Sequence, residues 1–196
     1  MKKSWIIIAV VVVLGFILYS MFKGSYNEMV TESEKVDAQW AQVENVYQRR
    51  ADLIPNLVNT VKGYAGHEKE TLEGVIEARA KATQTNINVG EMTPQKMAAF
   101  QQAQDGLSSA LSKLMVVVEK YPDLKANQNF LELQAQLEGT ENRIAVERKK
   151  FNETTRTYNT LIKHFPKNLM AGLFGFEAKP YFAAQQGAEQ APEVKF

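Results

Sequence analysis

No cysteine occurs among the 196 residues, which excludes a disulfide framework, thiolate metal ligands and a thiol nucleophile together. The absence leaves the compartment open, because a reduced cytosol and an oxidising exterior both tolerate a chain without thiols. Histidine is nearly as scarce: only His67 and His164 are present, far apart in the chain. An excess of one charge is missing too. Lys plus Arg is 23 against Asp plus Glu 22, and a net charge of +1 makes no long-range field that gathers nucleic acid or an acidic substrate. Nucleic acid is therefore not an expected partner. There is also no glycine-rich phosphate loop and no nucleophile elbow.

What is present begins with an apolar run. From Trp5 to Phe22 the sequence WIIIAVVVVLGFILYSMF has no charge, and at ~1.5 Å per residue it nearly crosses a hydrocarbon core of ~30 Å. Residues 5–22, with Trp5, Ile6, Val10, Leu14 and Phe22 among the lipid-facing side chains, are expected to form one transmembrane helix after a short tail of residues 1–4. A cleaved signal peptide needs small residues just after its apolar run, and Tyr19, Met21 and Phe22 stand there instead. The expectation is an uncleaved anchor, with lipid as a partner. Lys2 and Lys3 precede the span and Lys23 and Lys35 follow it, so the basic residues nearly balance. The adjacent pair at the start favours an N-terminus inside and the domain outside.

Beyond Asn27 the pattern is helical throughout, and the fold class expected is all-α. Val36, Trp40, Val43, Tyr47, Ile54, Leu57 and Val61 recur at spacings of three, four or seven, one face of a long helix. Pro55 removes a backbone donor within it, which predicts a kink or a restart capped by Asp52. A second helix carries Leu72, Val75, Ile76 and Arg79 and ends in the turn formers of Thr85 to Gly90. Thr93-Pro94 offers an N-cap with proline at the first helical position, opening a third helix with Met97, Phe100, Leu107, Leu111, Leu114 and Val118 on one side. It should stop at Tyr121-Pro122. In the last segment Phe130, Leu137, Ile144, Phe151, Tyr158 and Phe165 stand seven apart, a coiled-coil seam supported by Leu133 and Leu161 and closed by Pro166. Four helices with short connections predict an antiparallel up-down four-helix bundle over residues 27–165, a rod of roughly 55–60 Å. The chain then returns near the membrane. Residues 166–184 form a glycine and aromatic segment around LMAGLFGF, and residues 185–196 read as a flexible tail.

These residues carry a family resemblance. YQRRADLIPNLVNTVKGYA from Tyr47 to Ala65, then His67-Glu68-Lys69 and Glu77-Ala78-Arg79, resemble the signature of the LemA family. The second half agrees in YPDLKANQNFLELQAQLEGTENRIAVERKKFNETTRTYNTLI, in Phe165-Pro166 and in Gly172 to Phe176. The resemblance implies a bacterial inner-membrane protein with one N-terminal span and a long helical bundle. It implies no defined reaction.

Reactive constellations are missing. A di-iron bundle needs Glu-x-x-His pairs, yet Tyr64 precedes His67 and Leu161 precedes His164 at that spacing. His67-Glu68-Lys69-Glu70-Thr71 begins like a zinc-protease helix, but threonine replaces the second histidine. No metal, cofactor or catalytic residue is assigned. Glu141, Arg143 and Arg148 read as charges on a solvated helix face. More informative are Asn45, Gln48, Asp52, Asn56 and Asn59, which line one helix face if the helix continues past Pro55, and Glu138, Glu141, Arg148, Asn152, Thr155 and Asn159 on the last helix. Two readings fit: a solvated face, or a self-association or partner surface, since amides both donate and accept and can fix a helix register. Arg49 and Arg50 beside Asp52 suggest a local ion pair. Leu169, Leu173, Phe174 and Phe176 must cover themselves on the bundle base, on a neighbouring subunit or among lipid headgroups. The leading expectation is a non-enzymatic, homo-oligomeric membrane scaffold. The alternatives are an adaptor or signalling subunit for a membrane protease or kinase, and a hydrolase with a site between subunits.

Overall fold

A computed structural model describes residues 2–85, 87 and 89–183 of the chain. The expected flexible tail, 185–196, lies outside the described residues. The described residues are helical and contain no strand: α1 (Lys2–Tyr64), α2 (Lys69–Gln84), α3 (Pro94–Val118), a four-residue α4 (Pro122–Lys125), α5 (Gln128–Lys163) and α6 (Lys167–Phe174), with a 3-10 turn at Val89–Glu91. The all-α expectation is borne out, with more pieces than four helices and an anchor.

Helix α1 is continuous for 63 residues, about 95 Å at ~1.5 Å per residue. The apolar run and the first helix of the domain are therefore one element with no linker between them. The expected restart at Asp52 does not occur, because the damage done by Pro55 is repaired from outside. A proline at 55 leaves the carbonyl of residue 51 without its helical donor. Arg79 Nε of α2 donates to that carbonyl, Ala51 O, at 2.7 Å. Asp52 does not cap a new helix: it is exposed and accepts from Gln48 Nε2 at 2.7 Å.

Two helix starts are capped by side chains, the one at Thr93 as its sequence signal predicts. Thr93 Oγ1 accepts from Lys96 N at 3.2 Å with Pro94 in the first turn, and Asn127 Oδ1 accepts from Phe130 N at 3.1 Å. Side-chain pairs fix the helix directions. Gln39 with Glu147, Arg50 with Glu141 and Tyr64 with Asn127 run α5 antiparallel along α1. Gln104 with Ala82 and Glu68 with Tyr121 do the same for α2 and α3.

The core forms two clusters. One, near the apolar run, gathers Met29, Val36, Trp40, Val43, Tyr47, Met97, Phe100, Ile144, Phe151, Tyr158 and Ile162. The other, at the far end, gathers Ile54, Leu57, Val61, Leu72, Val75, Leu107, Leu111, Leu114, Phe130 and Leu137. These stripes match the periodic residues, with two corrections. Ile76 is exposed, since the buried stripe of α2 runs through Leu72, Val75 and Ala82 and leaves Ile76 beyond its edge. Phe165 leaves the seam and is 82% exposed, because α5 ends at Lys163 and His164 adopts an extended conformation.

After α5 the chain turns into α6, which includes Gly172 and ends where Gly175 takes φ 74°. Phe176 N then donates to Ala171 O at 2.9 Å, the bond of a Schellman cap, which requires a left-handed residue and so favours glycine. From there residues 177–183 run as an extended strap back up the domain, and Phe182 is buried in the proximal cluster.

Candidate interaction sites

Between the two apolar clusters lies a polar layer. Arg50, Gln104 and Glu141 each fall in the gap between core residues of their own helix: Tyr47 and Ile54, Phe100 and Leu107, Leu137 and Ile144. Arg50 is 1% exposed. Its guanidinium donates to Glu141 Oε1 at 2.6 Å, Ser108 Oγ at 3.0 Å and the Gln104 side-chain oxygen, and it stands 5.2 Å from the Tyr47 ring centroid. Gln104 Nε2 in turn donates to Ala82 O at 3.3 Å. Burial raises the Tyr47 phenol above its ordinary range, so it stays neutral beside the cation. This layer ties α1, α2, α3 and α5 at one height. Such a layer fixes register, because any slip places a buried cation against apolar side chains.

The second feature is the strap, held by three side-chain amides that each grip one backbone residue from both sides. Asn159 Oδ1 accepts from Lys179 N at 2.9 Å and its Nδ2 donates to Lys179 O at 2.8 Å. Asn152 treats Phe182 the same way at 2.9 and 3.1 Å, and Gln101 treats Ala183 so at 3.3 and 3.3 Å. An amide offering both a donor and an acceptor does for the strap what a neighbouring strand does in a sheet. Phe182 stacks on Trp40 at 5.8 Å, meets Phe151 edge-on at 5.4 Å, and lies under the Arg148 guanidinium at 4.8 Å. The Lys179 ammonium reaches Asp37 and the Tyr158 ring.

At the domain's other boundary, α6 packs against the end of the apolar run. Tyr26 meets Phe174 and Phe176 edge-on at 5.1 and 5.6 Å, and Lys167 pairs with Glu28 at 2.6 Å. Met170 and Ala171 face inward.

A model of the LemA family matches residues 39–196. The chain belongs to the LemA family. Among curated proteins it is similar to magnetosome protein MamQ 2 of Paramagnetospirillum magneticum, 29% identical over 193 residues that cover 90% of this chain and 70% of that protein. It resembles MamQ of Magnetospirillum gryphiswaldense at 29% over 192 residues, 89% of this chain and 70% of that one. Protein LemA of Metamycoplasma hominis is 24% identical over 170 residues, 87% of this chain and 74% of that protein.

The fold gives the family's signature residues physical work. In this LemA-family chain Tyr47, Ile54, Leu57 and Val61 build the core, Arg50 the polar layer, and Arg79 the repair of Pro55. Of the residues expected to form a partner surface, Asn45, Arg49, Asn56 and Asn59 are exposed on α1, and Gln48 is held by Asp52. Asn45 and Gln48 line a recess of about 420 Å³ with Glu44, whose carboxyl burial raises above the usual carboxylate range. Arg50 is inside and pairs with Glu141, not with Asp52. Asn152 and Asn159 hold the chain's own strap. Leu173 and Phe174 are exposed, and Phe176 is half-buried against the proximal cluster. The periodicity gave no notice of Gln101, Gln104, Ser108 or the stabilising role of Arg79. Phe182 did leave a signal: with Tyr181 it makes an aromatic pair after Pro180, outside any helical period.

Proposed function

We propose that this LemA-family chain is a non-enzymatic, single-pass membrane scaffold whose domain is an up-down four-helix bundle made of α1, α2, α3 and α5. The observation that carries the reading is the unbroken α1, which joins an apolar run able to cross a bilayer to the domain core with no flexible link. None of the run's 18-residue window is buried within the chain, which separates it from a soluble protein's core helix. A rod fixed to its anchor holds its far end at a set height above the bilayer, a property suited to organising other proteins rather than to turnover. No group of three metal-type ligands occurs among the described residues. The relatives' names, two of them for a magnetosome, state no reaction.

Self-association through the exposed amide face of α1, with Asn45, Arg49, Asn56 and Asn59, completes the proposal. Size measurement of the full chain in mild detergent tests it. A large homo-oligomer is expected, and a strict monomer overturns it. The adaptor reading draws on the same unbroken helix, which can carry a displacement of the domain into the bilayer, and it gives a monomer or a small complex instead. Lys2 and Lys3 ahead of the span support a domain outside the cytoplasm. A reporter active only in the cytosol, fused after Ala184, is expected to be silent, and activity there reverses the orientation.

A further inference from the structure

Helix α6 presents two unlike faces at the level where the apolar run ends. Met170 and Ala171 face the domain, while Leu169 and Leu173, four residues apart and so on one side, are 66% and 73% exposed, and Phe165, just ahead of the helix, is 82% exposed. Their exposure is fixed in place rather than a loose end, since Lys167 pairs with Glu28 and Tyr26 holds Phe174 and Phe176. Between the two helices runs a groove of about 330 Å³, walled by Leu18, Met21 and Phe22 of α1 and by Leu169, Met170 and Leu173 of α6.

We propose that α6 is an interfacial membrane helix and that this groove seats a phospholipid acyl chain beside the span. The argument is one of continuity and depth. One wall is the last two turns of the apolar run itself, so whatever surrounds Leu18 to Phe22 also surrounds the groove. From Leu18 to Glu28, the partner of Lys167, α1 climbs about 15 Å at ~1.5 Å per residue, from hydrocarbon to the first ion pair of the domain. An amphipathic helix at a bilayer surface sinks ~5–10 Å to the acyl boundary, which matches the groove's position. Lys23 is the first charge after the run and stands at the same height. The lining is apolar apart from Ser25 and lacks the amides and charged groups that give protein interfaces their specificity. The result is a second membrane contact from the C-terminal half of the chain, which sets the tilt of the rod as well as its height.

The inference rests on residues 5–22 being in the bilayer, and the test separates the two. The full chain is placed in phosphatidylcholine and phosphatidylglycerol vesicles in which a fraction of the phosphatidylcholine carries a diazirine on its acyl chain. After irradiation, lipid adducts are mapped by mass spectrometry. Adducts are expected on the span and on residues 165–174, with none around Val116 and Val146, which are exposed on the domain. Adducts on the span alone overturn the interfacial helix, and their absence from the span as well overturns the membrane reading beneath it. Because the chain has no cysteine, Leu169→Cys and Leu173→Cys each accept a single spin label without background. Labels there should be more accessible to oxygen than to a water-soluble nickel complex, the reverse of a label at Val146→Cys, with unchanged helical circular dichroism. Nickel accessibility equal to that at Val146 overturns the proposal. So does spin-spin broadening that disappears on mixing with unlabelled chain, which places a second copy on the face.

Discussion

Arg50 and Arg79 show how two arginines of similar sequence appearance do different physical work. Arg50 satisfies partners on α3 and α5 from inside the core, with Glu141 reaching in from a half-exposed position. Arg50→Ala leaves a cavity and an unpaired Gln104 oxygen, and should cost about 2–4 kcal/mol in urea unfolding of the full chain in mild detergent. Arg79 acts through one bond to Ala51 O. Arg79→Ala should cost about 1–3 kcal/mol by leaving that carbonyl unsatisfied. The cost should shrink in a Pro55→Ala background, because alanine restores the helical donor, and a double-mutant cycle measures the difference. Equal costs in both backgrounds would show that Arg79 acts elsewhere. Glu44 gives the pH-dependent case. Burial raises its folded-state pKa, so its destabilising charge is absent below the unfolded value, about 4.3, and develops as pH rises through the folded one. Glu44→Gln should therefore raise the melting temperature at pH 7 and leave it unchanged below about pH 4.

At the scale of elements, the strap is a strand-like segment in an otherwise helical domain, and its partners are side chains because no sheet edge is near. Asn152 and Asn159 stand seven residues apart, beside Phe151 and Tyr158 of the buried seam, so each amide meets the strap about every second turn of α5. Replacing Asn152 and Asn159 together by alanine removes four bonds to the strap backbone. Hydrogen exchange at residues 177–183 should then accelerate by one to two orders of magnitude, taking ~1 kcal/mol for each of the few bonds not replaced by water. Exchange in the far cluster should not change. If α2 and α3 lose protection too, the strap is an integral part of the fold and not a locally held segment.

For the whole molecule, the arrangement is one helix shared by an apolar run and a domain, with a second contact at the boundary through α6. Removing residues through Lys23 leaves Tyr26, Glu28 and Met29 to hold α6 and the proximal cluster. The shortened chain should be soluble, helical by circular dichroism and cooperative in urea, and a disordered product would refute a self-contained domain. The sequence alone determined the apolar run, the helical class and most of the buried stripes, because a helix repeats every ~3.6 residues and that period is written locally. It also carried the family signature. Only the tertiary structure decided which polar residues go inside. Arg50 finds its partners 54 and 91 positions away and Arg79 rescues a carbonyl 28 positions back, so the local pattern of polar residues is the same whether they face water or a distant helix. The path of Phe182 was decided in the same way, by an aromatic pocket assembled from α1, α3 and α5 that exists only once those helices have met.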